Sequence, residues 1–433
     1  MKKVLIITYY WIPSGGSGVQ RWVKFVKYLR EFGWEPIIYT PENPEFPSLD
    51  YSFKSDIPSD ITVLKTPIWE PYNVYRKLTN KENEPIKAGF ISENKKHGWK
   101  DKLSVWIRGN FLIPDPRRFW IRPSVRYLST YLNQNPVDAI ITTGPPHSMH
   151  FIGLGLKKNF PNLPWIADFR DPWTNIFFYK DLKIGWLADK IHHQLERKII
   201  KTTDCLLVVS KGMKEEFEVL QPKRLEIISN GYDDADLQSG ENVLDEKFSI
   251  SHIGLLTPKQ NPMVLWKVLS EICNENFEFN SDLEIKLVGN VDFSVLESIN
   301  QFGLQKQLTK IAYLPHNEAI AEQQTSQILL LLLMNEPGNK CILTGKLFEY
   351  LAAKRPVLAF GPTDGDAAAV LRDANAGVMI DFDDEMTTKN LILNYYSLFK
   401  DNKLYLNSKS VERFTRRSLT ADLSSLLNSL LSR

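Results

Sequence analysis

Short apolar runs, each stopping at glycine, proline or polar residues, set the strongest limit on how this chain can fold. Val4-Leu5-Ile6-Ile7 leads to the breaker-rich loop Pro13-Ser14-Gly15-Gly16-Ser17-Gly18. Residues 19–32 then carry Trp22, Phe25, Val26 and Leu29 at the three- and four-residue steps of a helix. Gly33 closes that helix and Pro36-Ile37-Ile38-Tyr39-Thr40 reads as the next strand. Strand, helix and strand in this order predict a right-handed parallel unit, the start of a doubly wound sheet.

The rhythm resumes at Ala139-Ile140-Ile141-Thr142-Thr143, Trp165-Ile166-Ala167-Asp168-Phe169, Cys205-Leu206-Leu207-Val208-Val209 and Glu226-Ile227-Ile228. Each run ends in residues such as Gly144-Pro145-Pro146-His147 or Arg170-Asp171-Pro172-Trp173, at the strand end where open α/β sheets bind ligands. Residues 233–247 are polar and acidic and read as a linker. The pattern then restarts with residues 248–254, 284–289, 328–333 and 356–361, so a second α/β domain is expected. Residues 411–433 read as a single amphipathic helical tail.

A chain of 433 residues has room for two or three domains, and 43% hydrophobic with 24% charged residues is a globular composition. The net charge of +2 gives no general affinity for nucleic acid. Cys205, Cys273 and Cys341 lie far apart, which argues against zinc and disulfides and fits a reducing cytosol. The opening apolar run is too short for a signal core, and residues 329–334 are too few to span a bilayer. Residues 72–131 interrupt the rhythm and read as an insert on the first domain. Within it, residues 94–126 hold nine Lys/Arg against two Asp, interleaved with Trp99, Trp106, Phe111, Phe119 and Trp120. That mixture suits a solvated face or an anionic membrane surface. No nucleic-acid-binding module accompanies it.

Two loops are candidates for chemistry. Gly16 and Gly18 precede a helix N-terminus, where free N–H groups meet either an anion or an ordinary turn. As a dinucleotide fingerprint the loop fails, because Arg21 stands where a third glycine belongs. Thr344-Gly345-Lys346 precedes a second helix, with a lysine for phosphate charge. One turn on, Glu349 is either a carboxylate favoured by the helix dipole or an acceptor for two ribose hydroxyls. His147 and Asp171 stand at strand ends, and the charged run Asp168-Phe169-Arg170-Asp171 suggests either an internal Asp–Arg ion pair or a substrate role. Asp364-Gly365-Asp366 has the look of a metal motif but follows Pro362 as an acidic turn would.

In their order these motifs resemble the retaining glycosyltransferases of family four, which have the GT-B fold. The resemblance rests on the N-terminal glycine loop, His147, Asp171, Val209-Ser210, Asn230-Gly231-Tyr232-Asp233, Gly254 with Lys259, and Lys346 with Glu349-Tyr350-Leu351-Ala352. It implies two Rossmann-like domains facing a cleft: an acceptor domain at 1–236, a nucleotide-sugar donor domain at 245–410, and a tail helix at 411–433 returning to the first domain. It further implies that Lys259 meets the donor pyrophosphate, that Glu349 holds its ribose, and that His147 and Asp171 serve catalysis. Donor contacts are expected at Gly16, Gly18, Gly254, Lys259, Thr344, Gly345, Lys346 and Glu349, without a metal or other cofactor.

Two family positions differ. Leu255 replaces an arginine, and Cys341 stands where a glutamate usually touches the donor sugar, with Glu336 nearby at a different spacing. The expected activity is transfer of a sugar, with retention, from a nucleotide-diphosphate donor to a glycan or lipid-linked glycan. This would occur in the cytoplasm or on the cytoplasmic membrane face. A nucleotide-sugar epimerase, or a non-catalytic nucleotide-sugar-binding protein, is the alternative.

Overall fold

The apolar runs pair side by side into two parallel sheets in the computed structural model. It describes residues 1–46, 49–71, 99–176, 179–237, 243–336, 338–406 and 408–432. The strands are β1 Lys2–Ile7, β2 Trp34–Pro41, β3 Thr62–Thr66, β4 Ala139–Gly144, β5 Trp165–Phe169, β6 Cys205–Val208 and β7 Leu225–Ile227 in the first sheet. In the second they are β8 Phe248–Ile253, β9 Leu283–Val288, β10 Leu308–Ile311, β11 Ile328–Leu332, β12 Val357–Phe360 and β13 Gly377–Ile380. The strand orders are β3-β2-β1-β4-β5-β6-β7 and β10-β9-β8-β11-β12-β13. Every pairing is parallel, with register such as Val4 opposite Pro36 and Ile140 opposite Trp165. Central strands such as β1, β4 and β11 are covered on both faces, which is why they read as unbroken apolar runs.

Helices fill the crossovers. In the first unit they are α1 Ser17–Leu29, α2 Trp99–Phe111, α3 Arg118–Gln134, α4 Ser148–Asn159, α5 Trp186–Thr202 and α6 Lys211–Glu218. In the second unit α7 Met263–Glu275, α8 Phe277–Asp282, α9 Phe293–Gln301, α10 His316–Thr325, α11 Gly345–Ala353, α12 Asp366–Asp373 and α13 Glu385–Lys400 follow. The last helix, α14 Arg416–Leu431, belongs to the first unit. It lays Leu419, Leu423, Leu426, Leu427 and Leu430 into the core formed by Val4, Trp22, Val26 and Ile141.

Three sequence expectations are corrected. The first unit comprises residues 1–229 and 416–433 and the second 230–415, so the division precedes the expected boundary at 236. Tyr232 explains this: its side chain is in the second core and its N–H donates to the Phe414 carbonyl at 3.1 Å. The tail from 411 is not one helix. Val411 and Phe414 form a short 3-10 turn anchored in the second core, Thr415 is extended, and only then does α14 begin. Finally, the supposed linker is partly fixed, since Asp245 forms an ion pair with Lys286 at 2.8 Å.

The basic–aromatic stretch proves to be of two kinds. Trp120 is buried, stacks on Tyr39 at 4.8 Å and donates to Thr66 Oγ1 at 2.9 Å. Arg117 is buried too, paired with Glu70 at 3.1 Å and lying 4.6 Å over the Tyr9 ring. These residues are core, whereas Trp106, Phe111 and Phe119 are exposed. The part of the insert at 72–98 lies outside the described residues.

Candidate functional sites in the two units

In the first sheet the chain passes from β1 to β2 and later returns to β4, so the ends of β1 and β4 flank its switch point. Gly16 caps α1 after β1, and His147 caps α4 after β4. Asp115 fixes the α4 terminus by accepting from Ser148 N and Ser148 Oγ, both at 2.8 Å. His147 lies flat on Trp173 at 4.7 Å. Burial, together with the Arg170 and His192 charges, pushes its pKa down to about 3. A neutral imidazole can exchange one hydrogen bond with a hydroxyl but has no proton to give as an acid near neutrality. Asp171 is exposed just beyond β5.

Gly18 lies directly against Arg170. A side chain there would collide with the Arg170 guanidinium, 1.4 Å from a notional Cβ. Arg170 Nε donates to Gly144 O at 3.2 Å and Nη2 to Pro145 O. The guanidinium therefore ties the β4–α4 loop to the start of α1 and puts a cation beside His147. The internal ion pair also exists, but Asp168 pairs with Arg21 of α1 at 3.1 Å rather than with Arg170.

Of the expected donor residues, Gly16 and Gly18 belong to the first unit, and the second brings Gly254 and Lys346 together. The ends of β8 and β11 flank the second switch point. Gly254 follows β8, and Thr344 precedes α11 after β11. At Gly254 φ is +120°, and a Cβ would approach Lys346 Cε to 2.6 Å, so the lysine stem passes directly over this glycine. Lys346 Nζ donates to Leu255 O at 3.1 Å and to His252 Nε2 at 3.0 Å. Burial lowers the Lys346 pKa to about 8. No side chain caps α11, its first turn has no acidic residue, and Thr344 Oγ1 is buried without a hydrogen-bond partner. Free N–H groups, an unsatisfied hydroxyl and an ammonium form a suitable cradle for phosphate. Glu349, one turn in, accepts from Gln323 Nε2 at 3.1 Å through one oxygen.

Lys259 lies in a 3-10 turn beyond Gly254 and pairs with Glu336 at 3.0 Å, each side chain about one-third exposed. Such a pair is weak enough for an incoming anion to displace. Cys341 closes a short turn in the loop after β11. Asp364 is paired with Lys340, and Asp366 opens α12, as in an acidic turn.

His252 has no place in the sequence motifs, whereas Arg170 stands in them only as a partner for an ion pair. A histidine inside the fully buried β8 is the signal that marks the first.

Residues 90–236 match the model of Glycosyltransferase Family 4. No curated protein sequence matches the chain. Among solved structures, sucrose-phosphate synthase from Thermosynechococcus elongatus is similar at TM-score 0.64 and 13% identity, covering 100% of both chains. HepE from Anabaena, solved in complex with UDP-glucose, is similar at TM-score 0.56 and 11% identity, covering 100% of this chain and 98% of that one. WaaG, a glycosyltransferase involved in lipopolysaccharide biosynthesis, gives TM-score 0.55 and 13% identity over 99% of this chain and 98% of its own. The chain thus has the fold of the GT-B glycosyltransferases, two Rossmann-like domains, and resembles Glycosyltransferase Family 4 through residues 90–236.

Proposed function

We propose that the protein is a glycosyltransferase that moves a sugar, with retention, from a nucleoside-diphosphate donor to a glycan or lipid-linked glycan acceptor. Its place would be in cell-surface polysaccharide or glycoconjugate assembly. The observation that carries this reading is the cradle made by Gly254, Thr344, Gly345, Lys346 and Glu349 at the second switch point. The diphosphate sits at the N-terminus of α11 beside Lys346, and the ribose hydroxyls bind Glu349. Lys259 leaves Glu336 to meet the phosphate charge.

In the reaction the bond from the anomeric carbon to the diphosphate breaks and the bond to the acceptor oxygen forms on the same face. The acceptor proton passes to the departing diphosphate. The lysines and helix N–H groups stabilise the charge that develops there, so the proposed mechanism gives no role to a metal. Neutral His147 hydrogen-bonds a sugar hydroxyl, and Asp171 faces the acceptor.

Thermal-shift measurements with UDP, GDP, CDP and dTDP test the donor site. Glu349→Ala is expected to weaken binding of the stabilising nucleotide by roughly 10- to 100-fold, the scale of hydrogen bonds to a charged group. Its melting temperature without nucleotide should stay near wild type. Unchanged nucleotide affinity would remove the ribose assignment. Analysis of products from the matching nucleotide sugar then separates transfer from epimerisation.

For the acceptor side we propose peripheral contact with the cytoplasmic membrane face through residues 94–126. Exposed Trp106, Phe111 and Phe119 adjoin exposed Arg118, Arg122 and Arg126. Among the described residues no helix is long and apolar enough to cross a membrane. Vesicles containing anionic lipid should retain the protein at low salt and release it at high salt. Failure to retain it at low salt counts against the contact.

A further inference from the structure

We infer that His252 is a positioning residue that holds the Lys346 ammonium for the donor diphosphate. The inference rests on the donor-site reading above and adds a residue to it.

Counting protons fixes the role of each ring nitrogen of His252. His252 is completely buried in β8, and its Nδ1 lies 2.9 Å from the Leu330 carbonyl in β11. A carbonyl only accepts, so Nδ1 carries the hydrogen. Burial pushes the His252 pKa down to about 3, so the ring has no second proton and Nε2 is an acceptor. Leu255 O, another acceptor, lies 3.3 Å from Nε2. Two acceptors facing each other need a donor between them, and Lys346 Nζ supplies it at 3.0 and 3.1 Å. The neighbouring strand thus selects the imidazole tautomer, and the tautomer selects where the lysine points.

Lys346 is fixed at both ends of its reach. Its stem crosses Gly254, where a side chain would obstruct it. Its tip uses two N–H groups on His252 and Leu255, leaving the third for an anion. A free lysine surrenders much rotamer freedom when it clamps a phosphate, and one already immobilised surrenders less. His252 therefore contributes to affinity for the diphosphate without touching it.

The test is a double-mutant cycle with the nucleoside diphosphate that stabilises the wild-type chain and with its parent nucleoside. His252→Asn keeps a donor for Leu330 O but has no atom at the Nε2 position. It should weaken diphosphate binding about tenfold and leave nucleoside binding unchanged. In a Lys346→Met background the same substitution should cost nothing further, and His252→Gln, which restores an acceptor, should recover most of the affinity. Equal losses in both backgrounds, equal losses for diphosphate and nucleoside, or wild-type affinity in His252→Asn would each overturn the inference while the donor site stands. Should His252→Asn fail to melt cooperatively, His252→Gln carries the test, and binding as weak as in Lys346→Met overturns the inference. A wild-type chain that binds none of the four nucleoside diphosphates overturns the donor-site reading and this inference with it.

Discussion

Replacing Asp168 with alanine is expected to destabilise the first unit by about 3–5 kcal/mol, the cost of leaving a buried charge without its partner. Asp168 and Arg21 are both fully buried. Oδ1 accepts from Arg21 at 3.1 Å, while Oδ2 accepts from Trp22 Nε1 at 2.9 Å and Thr143 Oγ1 at 2.8 Å. Arg21 also donates to Ser229 O at 2.7 Å and Ile228 O at 2.9 Å. One carboxylate on β5 thereby ties together α1, β4 and the segment after β7. Alanine strips the counter-charge from Arg21 and the acceptor from Trp22 and Thr143 in one step. The midpoint of denaturant unfolding reads the loss, and a shift worth less than about 1 kcal/mol would refute the assignment. Replacing both charged partners by apolar residues, Arg21→Met with Asp168→Leu, should recover part of the loss, because no charge is then buried alone.

Acid is expected to unfold the protein more steeply than its carboxylates alone would. The pKa values of His147 and His252 are pushed down to about 3, and that of His150 is held well below its usual value, by burial in each case. In the unfolded chain each histidine returns to about 6.5. Between these values the unfolded state binds more protons, so stability falls as pH is lowered. The contribution is fully present above about pH 7 and declines progressively below about 6.5. Each histidine adds a limiting slope of about 1.4 kcal/mol per pH unit, and the three together about 4. Buried Glu70 and Glu196, whose carboxyls are raised above their usual range by burial, act in the opposite sense and trim the slope. Denaturant midpoints measured from pH 7.5 to 5 would show this decline, and a flat profile would mean that the histidines are not neutral in the folded chain.

The central strands were legible because they are buried on both faces and so read as continuous apolar runs. The edges were harder. β3 and β10 are mostly half-exposed, and their sequences Thr-Val-Leu-Lys-Thr and Leu-Thr-Lys-Ile mix polar and apolar residues without a clean period. Trp120 misled for a related reason: composition counts it with exposed Trp106, while the fold stacks it on Tyr39. At the site, the Thr344-Gly345-Lys346 loop before a helix pointed to Lys346, and the family resemblance pointed to Gly254. Asp168 was read as one half of an ion pair, but its partner Arg21 is 147 positions away, nearer residues being the natural guess. His252 gave no motif because its meaning comes from Lys346, 94 positions downstream. Pairings of this range are set by sheet order, which local spacing does not encode.

The return of α14 to the first unit has a consequence for synthesis. Residues 230–415 form one uninterrupted stretch, so the second unit can draw its whole core from residues made before the final helix. The first unit cannot, because the leucines that seal its core against Trp22 and Val26 extend to Leu430. The half of the protein that leaves the ribosome first is therefore the half that finishes last, and residues 1–229 must wait, partly uncovered, for their final helix.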